Sequence, residues 1–178
     1  MSLHILDIME NSIDAQARRI EIRIDEDPGK DSLTLEILDD GKGMDTRTLQ
    51  KATDPFFTTR KTRRFGLGLS MISESAKATG GELTVESAPG KGTRVRATFQ
   101  RSHIDMKPLG DIGQTLLTLI AGHPDIELSY SHTIGGETFS FDTREFRGLS
   151  INSPQVLRQI GEQIRKGLDK LARHAKNS

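Results

Sequence analysis

Leu33-Thr34-Leu35-Glu36-Ile37-Leu38-Asp39-Asp40-Gly41-Lys42-Gly43 reads as a strand running directly into a glycine loop. Apolar and polar residues alternate from Leu33 to Ile37, the period of a strand with one buried face. Asp39 closes the strand, and Gly41 and Gly43 alternate with other residues in the loop it opens. A carboxylate placed there can accept a hydrogen bond from a ligand amino group, while the glycines let the backbone come close. By itself the segment is equally an ordinary acidic turn, because Asp-Gly is common in turns. Its surroundings separate the two readings.

Upstream, Ile20-Glu21-Ile22-Arg23-Ile24 alternates in the same way, and Asp27-Pro28-Gly29-Lys30-Asp31 supplies turn residues, so the two strands form a hairpin. Residues 3–17 precede it as a helix, with Ile5, Ile8, Met9 and Ile13 near helical spacing. Asp7, Asn11 and Asp14 fall at i, i+4 and i+7 and share one face of that helix. Mg²⁺ on a phosphate takes a few hard oxygen ligands, and an Asn amide oxygen adds one without repelling the phosphate. Taken alone, the same residues describe a solvated helix face.

Downstream, residues 46–53 read as a short helix and residues 54–65 as an irregular basic loop carrying Arg60, Lys61, Arg63 and Arg64. A helix follows over about 67–79 and stops at Gly80-Gly81. Gly66-Leu67-Gly68-Leu69 stands at its start, where free N–H groups and the helix dipole favour phosphate. Glu82–Ser87 and Arg94–Gln100 make a second hairpin around a Pro-Gly-Lys-Gly turn, with Thr93 beside it as a hydroxyl for a phosphate or a water. The expected fold class is α+β, a two-layer sandwich with helices on one face of a mixed sheet. We expect this unit to span residues 1–100.

Residues 101–178 are expected to form a small α-β-β-α extension. Pro108 precedes an apolar helical stretch, Leu109 to Ala121; Ile126–Ile134 and Glu137–Phe141 flank Gly135-Gly136 as a hairpin. Ser153-Pro154 opens a last helix over 154–174, with Val156, Ile160, Ile164, Leu168 and Leu171 in a narrow stripe. That stripe serves either to pack the helix on the hairpin or to pair it with a partner protein or a second copy.

The 178 residues are 34% hydrophobic and 28% charged, which suits one globular domain with a small appendage. With 25 charges of each sign, no global field recruits nucleic acid or an acidic membrane. The chain has no Cys, which excludes disulfides and cysteine-ligated metals and accords with a reducing cytoplasm. No apolar run approaches the roughly 20 residues of a membrane span, so we expect a cytoplasmic protein.

Glu10-Asn11-Ser12-Ile13-Asp14-Ala15, Asp39-Asp40-Gly41-Lys42-Gly43 and Gly66-Leu67-Gly68-Leu69, in that order, resemble the N, G1 and G2 boxes of the GHKL ATPases, whose shared architecture is the Bergerat ATP-binding fold. Gly90-Lys91-Gly92-Thr93 resembles the last glycine box, and Asp54-Pro55-Phe56-Phe57-Thr58-Thr59-Arg60 resembles a segment of histidine kinases. The resemblance covers residues 3 to about 100. It implies ATP and Mg²⁺ as cofactors, with Asn11 the metal ligand and Asp39 the acceptor of the adenine amino group. Gly41, Gly43, Gly66, Leu67, Gly68, Leu69 and Thr93 would line the nucleotide, and lid cations Arg60 and Lys61 would meet its phosphates. Where ATP-hydrolysing members carry Glu and histidine kinases more often Asn, this chain has Asp7, implied as the residue that orients or deprotonates the attacking group. Arg64 replaces the first glycine of the usual Gly-x-Gly-x-Gly, which points to a shorter or stiffer lid.

Residues 101–178 resemble, more distantly, the extension of small ATP-binding proteins that accompany multisubunit iron hydrogenases, a hint of an accessory role. With little sequence before the first box and 78 residues after position 100, we expect neither the phosphoacceptor hairpin of a complete histidine kinase nor the second domain of topoisomerases or mismatch-repair ATPases. Two readings remain open. One is a slow Mg-dependent ATPase or protein kinase, compact like the anti-sigma-factor kinases. The other is a non-catalytic, ATP-sensing subunit docked on a partner complex.

Overall fold

The computed structural model describes residues 1–52 and 67–175. Helix α1 (Ser2–Asp14) leads into strands β1 (Arg19–Asp27) and β2 (Ser32–Asp39), then α2 (Thr46–Ala52) and α3 (Leu67–Ala78). Strands β3 (Leu83–Ser87) and β4 (Thr93–Gln100) follow, then α4 (Ile112–Gly122), β5 (Glu127–Ile134), β6 (Glu137–Asp142), a 3₁₀ turn over Thr143–Phe146, and α5 (Pro154–Ala175). The six strands form one mixed sheet in the order β3-β4-β2-β1-β5-β6, the α+β sandwich expected.

The elements after residue 100 extend that sheet. β5 runs parallel to β1, with Ile22 opposite Tyr130, and β6 returns antiparallel to β5. Their register continues the alternation of β1 and β2. Ile20, Ile22 and Ile24, then Leu33, Leu35 and Ile37, then Val95, Ala97 and Phe99, share one face with Leu128, Tyr130 and Phe141, and all are buried. Ile5, Ile8 and Met9 of α1, Ile72 and Ala76 of α3, Leu116 and Leu119 of α4, and Ile160 and Ile164 of α5 complete the core on that face. The α5 stripe is thus taken up inside the fold, Leu171 included. On the opposite face Glu36 is buried between two guanidinium groups, Arg23 at 3.1 Å and Arg94 at 2.6 Å. Among the described residues no helix is long and apolar enough to cross a membrane.

A second polar chain runs through the far end of the sheet. Arg101 Nε donates to Glu26 Oε2 at 3.0 Å, and Glu26 Oε1 lies 3.0 Å from His132 Nε2. His132 Nδ1 lies 3.0 Å from Tyr130 Oη. Burial, and after it the Glu26 charge, push the Tyr130 phenol up, so it stays neutral beside His132. The hydrogen bond from His132 holds the Glu26 carboxyl below the usual range, against the opposing effect of burial. A depressed carboxylate contributes stability that is complete above its unfolded pKa and is lost as pH falls through the folded one. Glu26→Gln is therefore expected to lower the urea midpoint at pH 6 and to lose that deficit as pH approaches 3. A deficit constant from pH 6 to pH 3 would show that the Glu26 charge is not what stabilises.

Candidate nucleotide site

Helix α1 ends at Ala15, and Gln16 takes a left-handed conformation (φ 63°) that turns the chain into β1. The turn brings the end of α1 against the loop after β2: Lys42 N–H donates to Ala15 C=O at 2.9 Å, and Asp40 Oδ1 accepts from Arg18 and Arg19 N–H at 2.7 and 2.8 Å. Asp39 stands at the junction. Its Oδ1 accepts from Gly41 N–H at 2.9 Å and Thr93 N–H at 3.2 Å; its Oδ2 accepts from Ser12 Oγ at 2.8 Å. A carboxylate offers about four acceptor sites. Three are filled by fixed donors, which orients the group and leaves capacity for one further donor.

The loops around Asp39 are packed backbone on backbone. A Cβ at Gly43 (φ +65°) would lie 2.0 Å from Ala88 C=O, and one at Gly92 (φ +72°) 1.8 Å from Asp39 C=O. Gly41 stands 2.9 Å by the same measure from Ala15 C=O. Gly90 shares the left-handed conformation but has open space around it. Gly90→Ala should therefore cost about 1–2 kcal/mol from backbone strain alone, and Gly92→Ala clearly more, because it also pushes β4 off Asp39. Equal melting temperatures for the two variants would contradict this account. Ser87 Oγ ties the same region together, accepting from Met44 N–H at 2.8 Å and donating to Gly92 C=O at 2.7 Å. The Thr93 hydroxyl lies 3.2 Å from Ser87 Oγ, while its backbone N–H holds Asp39.

On α1, Asn11 Oδ1 is buried and, among the described residues, has no hydrogen-bond partner. A buried amide oxygen left unpaired costs free energy, and such a group is reserved for a ligand when one is due. It is a hard, uncharged donor, which fits a phosphate-bound Mg²⁺. Asp7, one turn earlier, is exposed. Gly68, in the first turn of α3, abuts it: a Cβ on Gly68 would lie 2.8 Å from Asp7 Cβ and 3.0 Å from His4 C=O. The phosphate-suited start of α3 thus meets the face of α1 that bears Asp7 and Asn11. Leu67 opens α3, and the Leu69 side chain lies in the core, leaving only its backbone for a ligand. Arg60, Lys61 and Gly66, with Phe56, Phe57, Arg63 and Arg64, lie outside the described residues.

Glu10 leaves this face and pairs with His123, Nε2 to Oε2 at 3.2 Å, tying α1 to the end of α4. Ser12, Ser87 and Asp40 escaped the sequence reading. Each stands inside a quoted segment, Ser12 in Glu10–Ala15, Asp40 in Asp39–Gly43 and Ser87 in Glu82–Ser87, with no role read for it.

Residues 3–103 match the family model described as "Histidine kinase-, DNA gyrase B-, and HSP90-like ATPase". A putative sensor protein of Shewanella frigidimarina is 37% identical over 103 residues, 57% of this chain and 16% of that protein. The sensor protein kinase FleS of Pseudomonas aeruginosa is 40% identical over 89 residues, 50% of this chain and 22% of the kinase. The anti-sigma F factor of Thermoanaerobacter sp. is 43% identical over 67 residues, 37% of this chain and 43% of the factor. The chain thus spans less than half the length of each of these relatives. A crystal structure of the N-terminal domain of a DNA repair protein superimposes with a TM-score of 0.57 at 20% identity, over 90% of this chain and 55% of that one, a likeness of fold.

Proposed function

This chain belongs to the histidine kinase-, DNA gyrase B- and HSP90-like ATPase family, and on that premise we propose that it binds Mg·ATP and turns it over slowly, as an ATPase or as a kinase acting on a partner protein. The observation that carries the reading is the buried, unpartnered Asn11 Oδ1 on the helix face that also bears Asp7. Asn11 would hold Mg²⁺, which when bound neutralises charge on the phosphates. Asp39, fixed by Ser12, Gly41 and Thr93, accepts from the adenine amino group. Backbone N–H groups at the start of α3 receive phosphate oxygens. Asp7 orients a water or an acceptor hydroxyl and takes its proton as that oxygen bonds to the γ-phosphorus and the bond to ADP breaks.

The alternative, a sensor that binds ATP without consuming it, draws on the Glu10–His123 contact, a direct link from the nucleotide-bearing helix to the segment between α4 and β5. A single-turnover experiment with protein in excess over γ-labelled Mg·ATP tests both. Label released as phosphate over minutes supports turnover. Label recovered in bound, intact ATP supports sensing or a kinase without its partner protein, and no bound label overturns both.

A further inference from the structure

At the opposite end of β1 and β2, six residues or about 20 Å along β2 from Asp39, the end of the sheet and the chain between β4 and α4 line an open cavity of about 460 Å³. Glu26, Asp31, Leu33, Arg101, Ser102 and Met106 line it, with Lys107, Pro108 and Leu109 closing one side. Its volume lies in the range of small-molecule sites, and its charged groups are not equivalent. The acceptors are committed: Asp31 takes hydrogen bonds from Ser102 N–H at 2.9 Å, Ser102 Oγ at 2.6 Å and Gln100 Nε2 at 3.0 Å. Glu26 is held by Arg101 and by buried His132. The donors are not. Arg101 commits only its Nε, and among the described residues its two outer nitrogens meet no acceptor, nor does Lys107 Nζ.

We propose that this cavity is a second ligand site, taking a small organic carboxylate whose anionic end meets the outer nitrogens of Arg101 and the Lys107 ammonium and whose apolar body lies on Leu33, Met106 and Leu109. The guanidinium fork matches a carboxylate in two parallel bonds, and Lys107 adds a point charge beside it. Glu26, itself part of the lining, is held by His132 and through Arg101 Nε helps to fix the guanidinium plane.

Hexanoate is a suitable probe, titrated into the full chain at constant ionic strength and followed by NMR at the His132 ring, joined to Arg101 through Glu26 in the hydrogen-bonded chain. The expected result is a saturable shift with a dissociation constant on the order of millimolar, the reach of so small a ligand. Lys107→Met, at an exposed site, should weaken it roughly fivefold, and Arg101→Met should abolish it. Hexylammonium should fail to compete. A shift linear in hexanoate, an undiminished response in Lys107→Met, or equal binding of hexylammonium would overturn the proposal. Mg·ATP affinity, measured in Lys107→Met, should stay at the wild-type value, so success or failure here is independent of the nucleotide site.

Discussion

Asp7→Asn is expected to bind Mg·ATP as the wild type does and to lose at least about a hundredfold in turnover, the usual worth of a positioned general base. Asn has the shape of Asp, so the contact between α1 and the first turn of α3 at Gly68 survives. What disappears is the ability to accept a proton from the attacking oxygen. Asn11, the proposed metal ligand, keeps its place one turn further on. Quenched single-turnover kinetics beside equilibrium binding separates the two effects. Unchanged turnover would remove Asp7 from the mechanism and turn attention to Glu10, which the structure ties to His123.

For Asp39→Asn the expected loss is in binding: more than about tenfold in Mg·ATP affinity, from one charge-assisted hydrogen bond worth roughly 1.5–3 kcal/mol. The geometry sharpens this. Asp39 accepts from Gly41, Thr93 and Ser12 with both oxygens. An amide has one acceptor oxygen, and its NH₂ must face at least one of those donors, so the group that receives adenine turns as well as losing charge. Calorimetric titration with ATP and GTP reads the result. Comparable affinities of the wild type for the two nucleotides would contradict the assignment of Asp39 to the adenine amino group.

Much of the fold lay open in local sequence. The hairpins, the helix bearing Asn11 and the strand ending at Asp39 each follow from periodicity and turn residues within a dozen positions. The relations across the chain did not. That Ser12 would hold Asp39, or that Thr93 would do so through its N–H, depends on α1 and β4 flanking the same strand end. Nothing in the alternation of β5 tells that it lies parallel to β1, because the pattern fixes a buried face and leaves the neighbour open. The cavity was hidden for the same reason. Glu26, Arg101 and His132 are ordinary surface-type residues in their local windows, and the fold joins them into one hydrogen-bonded chain that reaches from the half-exposed Arg101 to the buried His132.

The parallel pairing also orders the assembly of the molecule. Arg19 must find Glu127, a closure far longer than those that join β2 to β1 or β3 to β4, and non-local pairings of this kind form late and slowly. Until β5 arrives, β1 presents a free row of backbone donors and acceptors beside Ile20, Ile22 and Ile24, a template on which another chain's strand can add. The nascent protein is therefore most prone to stick to its own kind during the interval between synthesis of β1 and synthesis of β5, and β5 serves as the chain's own guard against that fate.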